Sequence, residues 1–307
     1  MTMRHHPSYA ECTARERLAY LLDADSFHEW LPPQDRLTSP HLQALGVPAA
    51  FDDGVVIGRA LFGGRPVFAA AQEGAFLGGG VGEVHGAKMV GLLHRALRDR
   101  PAAVLLLVDS GGVRLHEANA GLIAVSEVMR ALLDVRAAGI PTLILIGGNN
   151  GCFGGMGIVA HCADHIIMSD VGRLALSGPE VIEASQGVDE FDARDRALVW
   201  RTTGGKHRWI LGDCSRLVED DVQAFRAATL SVLDSTEASR PITLETLKAE
   251  HAQLCRRLAL ASPEAPADTE TEAVAIWQQL GVPAPSEVPD LDVTELLAGF
   301  SPQGDQR

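Results

Sequence analysis

The sequence predicts an α/β fold with a largely parallel, mostly buried sheet and flanking helices. Short, wholly apolar segments such as residues 104–108 and 142–146 alternate with stretches that repeat apolar residues at helical spacing. Each of these two segments ends in a glycine-containing turn that opens a helix. At 307 residues the chain has room for one large domain or two small ones, with a sizeable core in either case.

Composition and charge exclude several classes of function. A hydrophobic content of 46% with 21% charged residues is ordinary for a soluble protein. The net charge of −14 argues against general nucleic-acid binding, although a local cationic patch can still hold a small anion. There is neither a secretion signal nor an apolar run near the ~20 residues of a membrane helix, so we expect a cytoplasmic protein. The five scattered cysteines form no CxxC pair and indicate no disulfide framework or zinc ribbon.

The remaining elements follow from periodicity and from capping residues. In the first half we expect a capped helix after Thr13, an irregular Pro-rich stretch over 31–50, a hairpin of 55–60 and 66–70, a helix that ends at Pro101, and a long helix over about 116–138. In the second half we expect strands at 165–168 and 173–176, a helix begun by 177–180, a cationic loop over 200–211, helices over 217–233 and 244–258, and a linker over 262–290 with one short helix around Ile276.

These elements suggest three parts. We expect a lead-in over residues 1–50, a central domain over 51–240, and C-terminal helices with a Pro-rich tail over 241–307. We expect the terminal residues 292–300 to dock against this chain or against a partner.

Two glycine turns carry the strongest chemical signal. The first turn is residues 110–113, and the second turn is residues 147–157. A strand end followed by a helix start presents unpaired backbone N–H groups at the positive end of a helix dipole, and glycine lets a ligand oxygen approach them. We interpret the turns as cradles for a developing oxyanion; turns that only pack are the alternative. Neither a GxGxxG fingerprint nor a GK[ST] motif is present.

Several side chains nearby have a chemical and a structural interpretation. Ser110 and Cys152 are candidate nucleophiles, as a hydrolase would need, but we favour a small residue at a strand end and a buried thiol. Arg114 forms either a capping salt pair with Glu117 or a contact with a carboxylate substrate. A phosphate-bearing arm or a solvated loop would each explain the basic cluster Lys206, His207 and Arg208. The histidines and cysteine of 161–165 have spacing that does not suit a metal, so we expect no metal site.

Several of these motifs together resemble a known family. VDSGGVRLHEA, FLGGGVGEVHGAKMV and the segment from PTLILIGGNNGCFGGMG to SGPEVIE resemble the carboxyltransferase branch of the crotonase superfamily. More narrowly, GCFGGMG with SGPEVIE and RTTGGKHRWILGD is similar to the β subunits of biotin-independent malonate decarboxylases. The resemblance covers about residues 13–235. The four-cysteine zinc ribbon of many bacterial carboxylase relatives is absent, since only Cys12 lies in that region.

The resemblance implies a fold, a reaction and partners. The fold would be a crotonase-like ββα-repeat superhelix with stacked, largely parallel sheets. The reaction would convert a malonyl thioester to an acetyl thioester and carbon dioxide. The partners would be a homologous γ subunit in a hetero-oligomer and an acyl-carrier protein, whose arm resembles dephospho-coenzyme A; coenzyme A is the other ligand expected. No nucleic acid or membrane is implied. The alternative is a carboxyltransferase subunit of a biotin-dependent acyl-CoA carboxylase, and a non-catalytic scaffold subunit is a third hypothesis.

The resemblance also assigns roles to residues of this chain. The oxyanion donors would be backbone N–H groups of the first and second turns, with Val113 or Gly112 and Gly155 or Met156 as the central candidates. The full catalytic set is Gly111, Gly112, Val113, Gly154, Gly155 and Met156. The substrate-binding set is Gly78, Gly79, Gly80, Arg114, Lys206, His207 and Arg208.

Overall fold

A single seven-stranded sheet organises the chain. The computed structural model describes residues 7–235, 238–260 and 269–302. The strands lie in the sheet in chain order: β1 His28–Trp30, β2 Val55–Phe62, β3 Arg65–Gln72, β4 Ala103–Val108, β5 Thr142–Ile146, β6 His165–Ser169 and β7 Arg216–Val218. Strands β1 to β3 pair antiparallel, and β3 to β7 pair parallel.

Helices connect the parallel strands and cover both faces of the sheet. They are α1 Ala14–Leu21, α2 Pro40–Ala44, α3 Glu83–Asp99, α4 Asn119–Ala137, α5 Gly154–His161, α6 Pro179–Gln186, α7 Arg196–Thr203, α8 Gly205–Ile210, α9 Val222–Asp234, α10 Leu244–Leu258, α11 Thr269–Gln279 and α12 Val293–Gly299. No helix among the described residues has the length and the apolar character that crossing a bilayer requires.

Alternate residues of the parallel strands enter two separate cores. Leu106 of β4 packs with α3 and α4, whereas Leu105 and Leu107 pack with α1 and α9 on the other face. A strand that is buried on both faces needs apolar residues at every position, not at alternate ones. This explains the unbroken apolar runs and confirms the predicted α/β class with its mostly parallel sheet.

The ββα repeat is present, but its second strand is reduced to isolated bridges. After β4 comes a bridge of Val113 with Val81, and after β5 comes a bridge of Cys152 with Ser110. Cys152 also bridges Leu174, which follows β6. The stacked second sheet expected from the sequence is therefore a row of single bridges. The sequence predicts a strand over residues 173–176, but only Arg173 and Leu174 make bridges there, although backbone hydrogen bonds to residues 152–154 continue as far as the Leu176 carbonyl oxygen.

Two further expectations for local structure are wrong. Residues 200–211 are not a loop, since α7 and α8 meet there at Gly204. A Cβ at Gly204 would lie 2.5 Å from the Trp200 carbonyl oxygen, which explains the glycine at this junction. The helix expected from residue 217 begins at Val222, because residues 216–218 pair with β6 and Asp221 then caps α9.

The C-terminal segment docks on this chain. Trp277 of α11 and Val293 and Leu296 of α12 are buried in the same core as α3 and α4. This confirms docking of the terminal helix and the short helix around Ile276. The first part of the linker expected over 262–290 lies outside the described residues. The three-part division of the chain remains a prediction, although α1 and β1 of the lead-in pack directly on the sheet.

The buried ion pair between Arg17 of α1 and Asp109, just after β4, predicts a large effect of mutation on stability. The atoms Nη1 and Oδ2 are 3.0 Å apart, and both side chains are almost fully buried. Arg17→Met should lower the free energy of unfolding by about 3–5 kcal/mol, because it leaves the Asp109 carboxylate buried without its cation. Denaturant unfolding of the purified chain measures the change.

Arg15→Met provides the matched control on the same helix. Arg15 pairs with Glu29 and Asp52 but is 44% exposed, so its loss should cost about 1 kcal/mol or less. Equal losses for the two variants would contradict a structural role for the Arg17 pair.

Candidate active site

The first turn follows β4 and uses most of its own N–H groups. Gly111 donates its N–H to the Gly78 carbonyl oxygen at 2.8 Å, and Gly112 donates to Ser110 Oγ at 3.1 Å. Among the described residues, the Val113 N–H has no acceptor. Gly112 has a φ of 116°, a conformation that favours glycine.

Backbone pairing with Val81 keeps the Val113 N–H unpaired. Val81 donates to the Gly112 carbonyl oxygen at 2.9 Å, and Arg114 donates to the Val81 carbonyl oxygen at 3.0 Å. In a parallel bridge of this kind, the residue between the two bonded positions directs its own N–H to the opposite side.

The second turn leads from β5 into α5. Gly154 donates its N–H to the Leu176 carbonyl oxygen at 2.8 Å, and Met156 donates to the Phe153 carbonyl oxygen at 3.2 Å. The N–H of Gly155, the second residue of α5, finds no acceptor in the described part of the chain. Phe153 at the N-cap makes no side-chain cap, so this N–H stays free at the positive end of the helix dipole.

The two turns touch each other. A Cβ on Gly112 would lie 3.1 Å from the Phe153 carbonyl oxygen and 3.5 Å from the Gly155 nitrogen. A Cβ on Gly154 would lie 3.2 Å from Gly112 Cα and 4.0 Å from the Val113 nitrogen. Of the six backbone positions expected to supply donors, four are bonded within the chain. The two left with free N–H groups, Val113 and Gly155, flank this contact.

The glycines 78–80 pack under the first turn. A Cβ on Gly79 would lie 1.8 Å from the Asp109 carbonyl oxygen, and Gly79 has a φ of 65°. The Gly80 carbonyl oxygen accepts from Arg114 Nε, while Gly78 is exposed beside the turn. Gly79 and Gly80 thus position the first turn, and substrate contact by these glycines remains a prediction.

Comparison with known proteins assigns the chain to a family. Residues 5–263 match the carboxyl transferase domain family. The malonyl-S-ACP:biotin-protein carboxyltransferase of Malonomonas rubra is 43% identical over 95% of each chain. The chain belongs to the carboxyl transferase domain family.

Solved structures of the carboxyl transferase family agree with this assignment. A chain of a Pseudomonas malonate decarboxylase hetero-tetramer in complex with malonate superposes with a TM-score of 0.78 at 39% identity, covering 88% of this chain and 97% of that chain. A further relative by sequence, the methylmalonyl-CoA carboxyltransferase 12S subunit of Propionibacterium freudenreichii, is 36% identical over 59% of this chain and 34% of that protein.

Arg114 is buried behind the first turn and binds the protein itself. Its Nη1 donates to Asp53 Oδ1 at 3.0 Å and to Glu117 Oε1 at 2.8 Å, and its Nη2 donates to the Asp53 carbonyl oxygen at 3.0 Å. With Nε on the Gly80 carbonyl oxygen, every nitrogen of the guanidinium is used, and the residue is 2% exposed. The structure thus shows the salt pair with Glu117, and the contact of Arg114 with a substrate carboxylate stays a prediction that this burial does not favour.

The basic cluster at 206–208 likewise binds the protein itself. Lys206 Nζ donates to the carbonyl oxygen of Pro289 at 2.9 Å, and Arg208 pairs with Asp213 at 3.1 Å. His207 is buried and accepts from Trp277 Nε1 at 3.1 Å. Asp213 closes the same sequence motif, whereas Pro289 and Trp277 lie far along the chain, so the motif alone could not show these two partners. The role of this cluster in holding a phosphate arm stays a prediction, and these contacts within the chain do not favour it.

A cavity of about 330 Å³ nevertheless lies beside this cluster, at the carboxyl end of β6. Its lining includes Asp170, Trp200, Lys206, His207 and Trp277. The guanidinium of Arg173 separates it from the second turn, since it stacks over both Phe153 and Trp200. Lys206 and His207 line the cavity, but their polar atoms are hydrogen-bonded to Pro289 and Trp277, which also line it.

The candidate nucleophiles are buried and engaged. Ser110 Oγ donates to the Gly79 carbonyl oxygen at 2.6 Å. Cys152 is fully buried, and desolvation raises the pKa of its thiol well above the usual range. Neither side chain suits the hydrolase hypothesis. Among the described residues, no cluster of three or more His, Cys, Asp or Glu side chains could hold a metal ion.

A buried polar chain behind the first turn has no sequence signal of its own. Burial lowers the pKa of His85 to about 3, so its imidazole is neutral. Its Nδ1–H donates to the Asp53 carbonyl oxygen at 3.1 Å, and its Nε2 accepts from Gln72 Nε2 at 3.1 Å. Gln72 Oε1 in turn accepts the Asp109 N–H at 3.3 Å. The chain thus connects α3 with the residue that precedes the first turn.

The two buried neutral histidines predict acid sensitivity. Burial lowers the pKa of both His85 and His207 to about 3, whereas an unfolded histidine titrates near 6.5. Below pH 6.5 the unfolded chain binds protons that the folded chain does not, so stability is full above this pH and falls below it. Each histidine should contribute about 1.4 kcal/mol per pH unit to the free energy of unfolding between pH 6 and 5.

Denaturant unfolding at several pH values measures this slope. His207→Gln keeps an acceptor for Trp277 and should reduce the slope by about one proton. His116→Gln is the control, because His116 is exposed and its replacement should leave the slope unchanged. An unchanged slope in His207→Gln would contradict the assignment.

Proposed function

We propose that this chain is the carboxyltransferase-type subunit of a malonate decarboxylase and that it decarboxylates a malonyl thioester. The observation that carries the proposal is the pair of unbonded N–H groups, from Val113 and Gly155, on two turns in contact. Two preorganised donors on adjoining turns would stabilise one developing oxyanion.

The proposed reaction needs no side-chain nucleophile. The bond between the carboxylate carbon and the α-carbon breaks, carbon dioxide leaves, and the electron pair moves into an enolate whose charge rests on the thioester oxygen. Donors at that oxygen favour the transition state over the ground state. The carbanion takes its proton from a partner subunit or from water, because Ser110 and Cys152 are both buried.

An apolar surface around the turns supports a partner subunit at this position. We call Leu115, Leu122, Ile123, Ile158 and Leu176 the apolar rim; their exposed fractions run from 46% to 85%. Leu115 follows the first turn, and Leu176 accepts the Gly154 N–H. A homologous γ subunit that covers the rim would bury this surface and exclude water, which favours loss of the carboxylate as neutral carbon dioxide.

The solved relatives support a hetero-oligomer. One is a Pseudomonas malonate decarboxylase hetero-tetramer, and another is a hetero-dimer from the same enzyme. We propose an equivalent γ partner here, together with an acyl-carrier protein whose dephospho-CoA-like arm brings the thioester past the exposed Gly78. Since Lys206 and Arg208 are engaged elsewhere, the phosphates of the arm would have to bind outside that cluster.

A second candidate function has its own support. The Malonomonas rubra relative is a malonyl-S-ACP:biotin-protein carboxyltransferase. The same two N–H groups would serve that reaction, with biotin as the acceptor of the carboxyl group in place of free release of carbon dioxide.

A biotin-free reconstitution tests the proposal. The chain, its γ partner and a malonyl-loaded carrier protein are combined, and carbon dioxide release is followed with and without avidin. We expect release without biotin and no effect of avidin. Dependence on a biotinylated protein would favour the second candidate, and no turnover in either case would leave only a scaffold role.

Displacing the Gly155 N–H should slow the chemical step. A Cβ at Gly155 would lie 2.6 Å from Val125 Cγ1, so Gly155→Ala must shift the start of α5. We expect kcat to fall by ~10²-fold, the typical cost of losing one oxyanion donor. Gly91→Ala is the control, because a Cβ there has nothing within 4 Å, and its kcat should match wild type.

Adding Val125→Ala to Gly155→Ala makes room for the new methyl group and should restore much of the lost kcat. If Gly155→Ala reduced activity no more than Gly91→Ala, the oxyanion role of this turn would be refuted.

A further inference from the structure

The segment just beyond the first turn is held by charge and not by apolar packing. Leu115 is 85% exposed, and His116, Ala118 and Asn119 are exposed as well. Only Arg114 and Glu117 are buried here. The ion pair between these two residues is therefore the main anchor of the segment.

Two carboxylates anchor Arg114 to the start of α3. Asp53 Oδ2 accepts the His85 N–H at 2.8 Å, and Glu117 Oε2 accepts the Glu83 N–H at 2.7 Å. The N-cap of α3, Gly82, has no side chain, so these two carboxylates replace a local cap and also face the positive end of the helix dipole. Arg114 lies between them and joins the first turn to α3.

The backbone and the side chain of Arg114 hold the same strand pairing. Its N–H donates to the Val81 carbonyl oxygen, and its Nε donates to the Gly80 carbonyl oxygen. This pairing is what leaves the neighbouring Val113 N–H free. Arg114 thus controls the direction of that N–H from a buried position that no substrate reaches.

Backbone strain shows that the segment is tightly constrained. Ala118, between the 3-10 turn Leu115–Glu117 and α4, has φ 46° and ψ −123°, which is unfavourable for a residue with a Cβ. Such a conformation persists only where surrounding contacts impose it. The buried Glu117 carboxylate, next to Ala118, supplies such contacts.

A second buried cation balances the charge of the cluster. Lys88 Nζ donates to the Asp52 and Val55 carbonyl oxygens at 2.8 and 2.5 Å and lies close enough to Asp53 to attract its charge. Arg114 pairs directly with both Asp53 and Glu117, whereas the charge of Lys88 acts on Asp52 and more weakly on Asp53.

We infer that Arg114 is a positioning residue for the decarboxylation: together with Asp53 and Glu117, it fixes the direction of the Val113 N–H without touching substrate. The inference rests on the function proposed above.

Arg114→Lys tests the inference in the assembled complex, because lysine keeps the charge but loses the planar fork. We expect kcat to fall by about 10- to 100-fold with KM within about twofold, since a misplaced donor weakens only transition-state binding. Amide hydrogen exchange across residues 110–119 should become faster. Glu117→Gln, which keeps the size of the side chain, should show the same pattern with a smaller loss of kcat and serves if the lysine variant fails to fold.

Arg136→Lys is the matched control. Arg136 pairs with the buried Asp164 at 3.1 Å, at the amino ends of β5 and β6, whereas the two turns lie at the carboxyl ends of β4 and β5. This variant should lose stability but keep wild-type kcat, KM and exchange across 110–119.

The inference is overturned if Arg114→Lys and Glu117→Gln keep wild-type kcat, or if they raise KM alone. Failure of the proposed function would appear separately, as a wild-type complex that releases no carbon dioxide, and the exchange comparison would still decide the positioning role.

Discussion

At the carboxyl edge of the sheet, the backbone of Gly112 lies against the backbone of Gly154, and no side chain fits between them. Strands β4 and β5 are hydrogen-bonded neighbours, so the turns that follow them must meet at this edge. Most N–H groups of the two turns are satisfied by local acceptors, which fixes the backbone. In the described part of the chain two remain, on Val113 and Gly155, and the surrounding backbone holds them in place, as the proposed oxyanion site would require.

The charged residues near these turns serve the scaffold. Arg114, Lys206 and Arg208 each donate hydrogen bonds to carbonyl or carboxylate oxygens of the chain itself. Burying such cations without partners would be costly, and their partners come from distant segments such as Asp53 and Pro289. The surface around the turns is left largely apolar. It suits contact with another subunit and a dry environment for loss of carbon dioxide.

The chain is similar to two kinds of enzyme. This chain is 43% identical to the malonyl-S-ACP:biotin-protein carboxyltransferase of Malonomonas rubra and 39% identical to a chain of a Pseudomonas malonate decarboxylase. Stabilising an enolate oxygen is common to the proposed decarboxylation and to carboxyl transfer.

The sequence by itself determined the α/β class, most helices and the two glycine turns, because apolar runs, helical periodicity and glycine act through neighbours along the chain. It also identified the family through motifs such as VDSGGVRLHEA and GCFGGMG. Only the tertiary structure decided which N–H groups stay free, since the acceptors for Gly111 and Gly154 come from Gly78 and Leu176. The same reason explains why the roles of Arg114 and of the 206–208 cluster could not be read from their spacing. A charged side chain looks alike in sequence whether it meets solvent, substrate or a distant carbonyl, and only folding brings one of these within hydrogen-bonding distance.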